Sequence, residues 1–379
     1  MSLVEQMNGR FSGVQALRFV AAFLVVVGHA TFYTHERLDP GVPVWTWTTI
    51  GVDVFFVISG FVMVISSRSL VSRAGGWRIF GLRRVVRIVP MYWIATTVKL
   101  LTLVALPGLV LHATLDPSNV VLSYFFLPSR NEEGAVEPLL GVGWTLIYEM
   151  FFYAVFTIAL LVRARPVIFC GAVLSVLALG SLVRTGDDWA PALVYFDPIV
   201  LYFLVGMLIG VFVSGGSRRW FVLGMGWVSA LFVAAWAVRV PERSWWESGH
   251  FARAGLVIAV MLVVVLLEPR LRRVIPKPAL FLGDASYTLY LFHPLIAPAV
   301  PVVLAVVGLT NGVLSVAGCI AASIIAAVLI YVVVERPLTR WLQRVTPGLR
   351  PHPAGAVEPE DLTAAVSDEP RSTADRETT

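Results

Sequence analysis

The chain has 379 residues, 58% of them hydrophobic and only 14% charged, where soluble proteins carry about 25% charged residues; its mean hydropathy is +0.80. These values exclude the two or three soluble domains that length alone would suggest. The net charge of +5 comes without a Lys/Arg run interleaved with exposed aromatics, which excludes a nucleic-acid-binding module, because membrane proteins gather Arg and Lys in cytoplasmic loops.

Apolar runs recur along the chain at lengths that span a bilayer, roughly 17–25 residues each. In chain order the predicted helices are 15–34, 48–66, 89–106, 118–127, 143–162, 166–183, 195–213, 220–238, 251–267, 285–307 and 313–334. The piece at 118–127 is about half of a span and reads as re-entrant or interfacial, which leaves about ten spans in an all-α, polytopic membrane protein. Residues 1–16 are mixed and polar, and no A-x-A-like site follows the first apolar run, so that run reads as a retained helix and not a cleaved signal. The connector 67–88 holds Arg68, Arg73, Arg78, Arg83, Arg84 and Arg87. With that connector in the cytoplasm, alternation puts Arg163, Arg165, Arg218, Arg219, Arg270, Arg272, Arg273, Lys277, Arg336, Arg340 and Arg344 on the same side. Only Arg37, Arg130, Arg184, Arg239 and Arg243 fall opposite. Both termini are therefore expected inside, in a bacterial-type cytoplasmic (inner) membrane.

Residues 1–345 form one expected transmembrane domain. The remainder, 346–379, is rich in Pro, Glu, Asp, Thr, Ser and Ala and is expected to be a disordered cytoplasmic tail. Cys170 and Cys319 sit inside apolar runs and build neither a disulfide framework nor a zinc site. Gly206-x-x-x-Gly210 predicts close helix packing.

An ionisable side chain inside a bilayer costs about 2.5–3.5 kcal/mol on the lowest scales and defaults to a functional hypothesis. Arg18 and His29 are eleven residues apart on one helix. At 100° per residue they point the same way, separated by a rise of about 16 Å. One elongated ligand would touch both; snorkelling of Arg18 and a structural hydrogen bond for His29 are the plainer readings. Glu149 falls roughly 9 Å below the outer end of its helix, the estimated depth of His29, where a carboxylate would fix the imidazole tautomer. A structural Glu paired with an arginine is its alternative. Asp53 reads equally as a carboxylate favoured by a helix N-terminus. His293 precedes Pro294, which frees a backbone carbonyl and hints at a cavity. Arg83, Arg84 and Arg87 suit either positive-inside sorting or a phosphate-rich ligand. Lys99 reads as a snorkelling residue.

Several strings, taken in order, resemble the membrane acyltransferase-3 family. They are Leu17-Arg18 with His29; Gly51-Val52-Asp53-Val54-Phe55-Phe56-Val57-Ile58-Ser59-Gly60-Phe61; Arg83-Arg84 through Arg87-Ile88-Val89-Pro90-Met91-Tyr92-Trp93; Gly143-Trp144-Thr145-Leu146 with Glu149 and Phe152-Tyr153; Gly283-Asp284-Ala285-Ser286-Tyr287 with His293; and Glu335-Arg336-Pro337. The resemblance covers about residues 10–345 and is nearest to the exopolysaccharide-acetylating branch. It implies a ten-helix enzyme that takes acetyl or another short acyl group from coenzyme A and modifies surface or exported glycans, or in some branches macrolides, lipids or peptidoglycan. That branch often has Asn where this chain has Ile147. Many relatives add an extracytoplasmic hydrolase-like domain. This chain is expected to act without one, or to pass its acyl group to a partner acyltransferase or glycan-assembly protein.

The expected mechanism docks acyl-CoA from the cytoplasm, with Arg18, Arg83, Arg84 and Arg87 on its phosphates. His29 is the general base or a transient acyl carrier, oriented by Glu149. His293 donates to the oxyanion, with Asp53 nearby. Trp144, Tyr148 and Tyr153 line the side of the acceptor, a glycan or lipid-linked saccharide. The loop 107–142, with Arg130, Glu132, Glu133 and Glu137, is expected to help select that acceptor. No metal is required. A transporter or flippase that uses the same charges as a relay is the rival reading, and the absence of an internal repeat counts against it.

Overall fold

The structure, a computed structural model, describes residues 11–106, 115–131, 134–184, 189–239 and 249–346. Glu132, Glu133, Arg243 and the expected tail from 347 onward lie outside the described residues, as does the side chain of Arg239. Among the described residues every extended element is helical; the one β feature is an isolated bridge between Arg130 and Val136.

Helix α1, Ser12–Arg37, has 26 residues, about 39 Å at 1.5 Å per residue, enough to cross a bilayer. A helix start leaves its first N–H groups without partners. Here they are met from far along the chain: the buried Glu268 carboxylate accepts from the N–H of Ser12 and, at 2.8 Å, from that of Gly13. Helix α2, Ile50–Ser67, follows a 3-10 turn at Thr46–Thr49. Helix α3, Gly76–Ala105, runs for 30 residues and corrects an expectation. It begins well before residue 89, so the arginine-rich stretch predicted as a connector is largely its first turns. Gly75, in the left-handed region at φ 71°, is the last breaker before it, and nothing in Trp77–Val89 stops helix propagation.

Helix α4, Pro117–Tyr124, is the short piece expected near 118–127. The Asp116 carboxylate accepts from the N–H groups of Ser118 and Asn119, and Pro117 occupies the first turn. Then come α5, Trp144–Leu161; α6, Pro166–Gly180; α7, Leu201–Val213; and α8, Arg218–Arg239. Helix α9, His250–Leu266, is bent by 74° into the short α10, Glu268–Val274. Helix α11, Lys277–Asp284, leads into α12, Ser286–Ile296. The predicted helix 285–307 divides there: Ala299–Val306 is a separate helix, α13, because Pro294, Pro298 and Pro301 remove successive backbone donors. Helix α14, Gly312–Ile330, passes through a π turn at Tyr331–Glu335 into α15, Arg336–Val345.

Among the described residues seven helical segments are long and apolar enough to cross a membrane, or eight if the bent α9–α10 pair is one span; Pro166–Gly180 and Pro198–Val213 are shorter apolar helices. Large apolar side chains cover the outside of the bundle, among them Leu101, Ile168, Val176, Val313 and Ile325, each more than 60% exposed. Patches of that extent on a monomer mark a membrane or partner surface; with these helices, the chain is a multi-pass membrane protein. One end of the bundle, here the upper end, is where α1 and α3 finish and α2 and α5 begin. The lower end holds the start of α12 and the π turn.

Helices α2 and α7 form the centre, and glycine explains how closely they approach. A Cβ built on Gly206 would stand 2.0 Å from the Val57 carbonyl oxygen, and one on Gly60 would stand 2.0 Å from the Phe203 oxygen. Gly210 also packs on α2, beside Val64, so the small-xxx-small pair does what its spacing predicts. Gly206→Ala is expected to force the two backbones apart and cost at least about 1–3 kcal/mol, read as a lowered Tm in detergent or nanodiscs. An unchanged Tm would remove this contact from the account of stability.

Candidate active site

Among the described residues, two of the bundle's cavities are lined by the ionisable side chains singled out above. The upper one, about 1010 Å³, is walled by α1, the 44–49 segment, α3, the 116–142 segment and the α12–α13 break. His29 and Trp144 line it, and so do Trp45, Lys99 and Arg37. The lower one, about 110 Å³, is lined by Arg18, Ser59, Arg84, Arg87, Glu149, Tyr153 and Tyr287; that is room for about three or four waters at ~30 Å³ each. Val52 and Tyr290 line both cavities, so these two side chains form the wall between them.

Helix α1 therefore carries Arg18 to one cavity and His29 to the other on a single face, as the eleven-residue spacing predicts. The Nδ1 of His29 lies 3.0 Å from the Val25 carbonyl oxygen. A carbonyl only accepts, so Nδ1 carries the proton, and Nε2 keeps its lone pair, with no protein partner among the described residues. This corrects the expected His29–Glu149 pair: the imidazole is oriented by its own helix backbone. Glu149 instead accepts from Ser59 Oγ at 3.2 Å and from the Tyr153 hydroxyl. Equal depth on two helices did not mean a shared face.

His293 is fully buried and lines neither cavity. Its ring meets that of His29 edge-on at 4.9 Å between centroids. Its Nδ1 donates to the Leu289 oxygen at 3.1 Å, and its Nε2 is buried without a partner. In that tautomer Nε2 is an acceptor, so the expected oxyanion donor is corrected to a packing neighbour of His29. Asp53 is corrected as well. It lines neither cavity and is held 2.5 Å from Arg253 Nε, while Arg253 Nη1 donates to Thr49 at 2.9 Å. Tyr148 turns away to donate to the Val194 oxygen at 2.7 Å, and Tyr153 belongs to the lower cavity. Neither of them lines the upper cavity with Trp144.

The arginine cluster divides. Arg84 and Arg87 are three apart on α3 and share a face; Arg83 points outward, exposed, and lines neither cavity. Arg84 Nη2 donates to Ser66 Oγ at 2.7 Å, and its guanidinium lies over the rings of Phe80 and Tyr153. Arg87 Nη1 lies 4.0 Å from Glu335, which also accepts from the Thr288 hydroxyl. Yet Arg84 Nε and Arg87 Nη2 are buried with no partner. Buried donors left unsatisfied cost about 1–3 kcal/mol, more when charged, so an acceptor placed against these two atoms would relieve that cost.

Ile147, where the resembled branch often has Asn, is buried and lines neither cavity. Sequence reasoning missed Arg253, Trp45, Tyr290 and the partner role of Glu335. Arg253 carried a usable signal, a cation at the start of an apolar run. Trp45 stacks on Trp47 at 6.1 Å, in a loop that periodicity does not reach. At the edge of the upper cavity, Asp116 is held below the usual carboxylate range by the Ser118 hydroxyl and by the N–H groups of Ser118 and Asn119.

Fold and site thus define a multi-pass helical membrane protein with a histidine-bearing cavity above a cationic one. The Acyltransferase domain family (Acyl_transf_3) matches residues 11–332, and the chain belongs to that family. It is 37% identical over 324 residues to the exopolysaccharide production protein ExoZ of Rhizobium meliloti (strain 1021), covering 79% of this chain and 92% of that protein. It is 27% identical to nodulation protein 10 of Rhizobium leguminosarum bv. viciae, over 77% of this chain and 84% of that one. Identity to the O-acetyltransferase OatA of Staphylococcus aureus (strain NCTC 8325 / PS 47) is 25%, over 64% of this chain and 45% of that one. No solved structure matches. Family membership supports an acyltransferase.

Proposed function

We propose that this protein moves an acetyl or other short acyl group from acyl-CoA to a hydroxyl of a surface or exported glycan. The observation that carries the reading is the order of groups along α1. Partnerless guanidinium donors beside Arg18 lie in one cavity, a histidine with a free Nε2 lies in the next, and only Val52 and Tyr290 stand between. The names of ExoZ and OatA support the glycan and the O-acetyl group. We read the bent pair and the two short apolar helices as spans too, which gives ten, with the lower end and both termini cytoplasmic in the inner membrane.

Acyl-CoA then enters from below, with a phosphate on Arg18, Arg84 and Arg87, whose planar forks suit phosphate oxygens. The pantetheine arm passes Tyr290 and brings the thioester to His29. Nε2 takes the proton of the acceptor hydroxyl, the oxygen attacks the thioester carbonyl, and the thiolate leaves with that proton. Trp45 and Trp144 offer ring faces to the sugar. The lower cavity is far smaller than coenzyme A, so its walls must part for the donor, with Tyr290 as the moving piece. Its hydroxyl lies 2.8 Å from both the Val142 oxygen and Thr145 Oγ1.

The test is thiol release and glycan labelling from labelled acetyl-CoA by the purified protein in lipid nanodiscs. Arg84→Ala with Arg87→Ala is expected to raise KM for acetyl-CoA about 10- to 100-fold, the loss of one or two charge-assisted contacts, with kcat changed little. A folded wild type that does not bind acetyl-CoA would sink the donor assignment and favour the transporter.

A further inference from the structure

Four residues of the upper cavity also belong to the outer surface of the bundle. Trp45 and Val303 line the cavity with His29, yet they are 44% and 59% exposed. Val44 and Ala299 line it and are exposed as well. The cavity therefore opens sideways, between the segment that leads into α2 and helix α13.

That opening lies on the part of the bundle that faces the bilayer. Helix α14 is apolar enough to cross a membrane, and its first residue, Gly312, packs on Val42 at the upper end. Helix α13 runs beside it: a Cβ built on Gly318 would stand 2.9 Å from a Val300 methyl carbon. Gly318 is six residues further along α14 than Gly312, a rise of about 9 Å. With Val300 turned to α14, Ala299 and Val303 form another stripe, which Val306 and Val307 continue three and four residues on. All four are exposed, and residues 297–309 contain no polar side chain. The stripe thus starts in the cavity and leaves it without crossing a polar group. On the other rim Trp45 stacks on the exposed Trp47, as aromatic rings do at a membrane–water boundary. The walls from α3 and the 116–142 segment bring polar groups instead, among them Thr102, Asn119 and Asn131. A cavity with polar walls and an apolar exit into the bilayer suits a ligand with a polar head and a hydrocarbon chain.

We infer that the acceptor is a lipid-linked saccharide that enters sideways from the bilayer, its chain along Ala299, Val303, Val306 and Val307 and its sugar at His29. The inference rests on the proposed acyl transfer and narrows its acceptor. Lipid tails are as apolar as the side chains of the stripe, so the stripe adds little affinity for the chain. Its effect is to bring the sugar to the histidine in one orientation. The chain is the acceptor's and not the donor's, because the proposed acyl group is short and arrives past Tyr290 from the lower cavity.

The experiment uses the full chain in nanodiscs and a pool of mixed oligosaccharides in two forms: free, and coupled at the reducing end to one dodecyl chain with a terminal diazirine. On irradiation the dodecyl pool is expected to label the Ala299–Val307 stripe, mapped by mass spectrometry, at least about fivefold more than a diazirine-tailed phosphatidylcholine at the same mole fraction. Transfer is followed in the same nanodiscs with labelled acetyl-CoA. Val303→Gln puts a carboxamide in the path of the chain and should slow transfer to the dodecyl pool about tenfold more than transfer to the free pool. Val303→Leu, which keeps the path apolar, should retain the wild-type ratio, and thermal unfolding of both variants reports the fold. Equal labelling by the phosphatidylcholine means annular lipid only and overturns the inference, as does Val303→Gln slowing both pools alike or neither. Thiol release keeps the two readings apart. Labelling of the stripe without thiol release would fault the acyl transfer and leave the lipid site standing, whereas thiol release with no preferential labelling would leave the acyl transfer and sink the lipid-borne acceptor.

Discussion

His29→Ala is expected to lower acyl transfer about 10²- to 10⁴-fold, the usual contribution of a positioned general base, and to leave Tm almost unchanged. The two halves of that prediction have separate causes. His29 makes its one described hydrogen bond within its own helix, Nδ1 to the Val25 oxygen, and it borders a large cavity, so truncation strips no distant element of a hydrogen-bond partner and removes only the edge-on ring contact with His293. The same bond fixes the tautomer that leaves Nε2 basic. With the donor bound in the lower cavity, as proposed, acyl-CoA binding should persist in the variant. The measurement is labelled acetyl transfer to a glycan pool beside thermal unfolding of the same sample. Transfer that survives at wild-type rate would remove His29 from the chemistry and turn attention to Glu149, which already holds a hydrogen-bonded Tyr153 hydroxyl.

Asp53→Ala should act the other way, on stability. Asp53 is 5% exposed and Arg253 30% exposed at the side chain, with 2.5 Å between Oδ2 and Nε. Removing one partner of a buried ion pair costs about 3–5 kcal/mol; here Arg253 reaches water, so the expected loss is about 1–3 kcal/mol. Arg253→Ala should cost about as much, and the double variant less than the sum, because neither then strands a charge. A catalytic Asp53 would give a different pattern: normal Tm, lost turnover, and no rescue by Arg253→Ala. Thermal unfolding of the three variants in nanodiscs separates the two accounts.

Helix positions were legible in the sequence because span length and apolar runs are local properties, and the bilayer permits few alternatives. The errors have local causes too. Charge density predicts a loop up to residue 88, yet α3 starts at Gly76 and Arg84 and Arg87 turn inward. Hydropathy alone predicts one helix at 285–307, but Pro294, Pro298 and Pro301 divide it. Trp45 lies in a loop, where periodicity carries no signal.

What the sequence determined by itself is the class of molecule, the family, and the placement of Arg18 and His29 on one face of one helix, all of which follow from hydropathy, motif order and helical pitch. Only the tertiary structure decided which charge meets which. Asp53 found Arg253, two hundred residues away; Glu335 found Arg87; and Glu149 found Ser59 and Tyr153 and not His29. The physical reason is that depth in a membrane can be counted along a helix, but the direction a side chain faces relative to another helix depends on how the two pack. That packing turns on contacts such as Gly60 and Gly206 at the centre of the bundle.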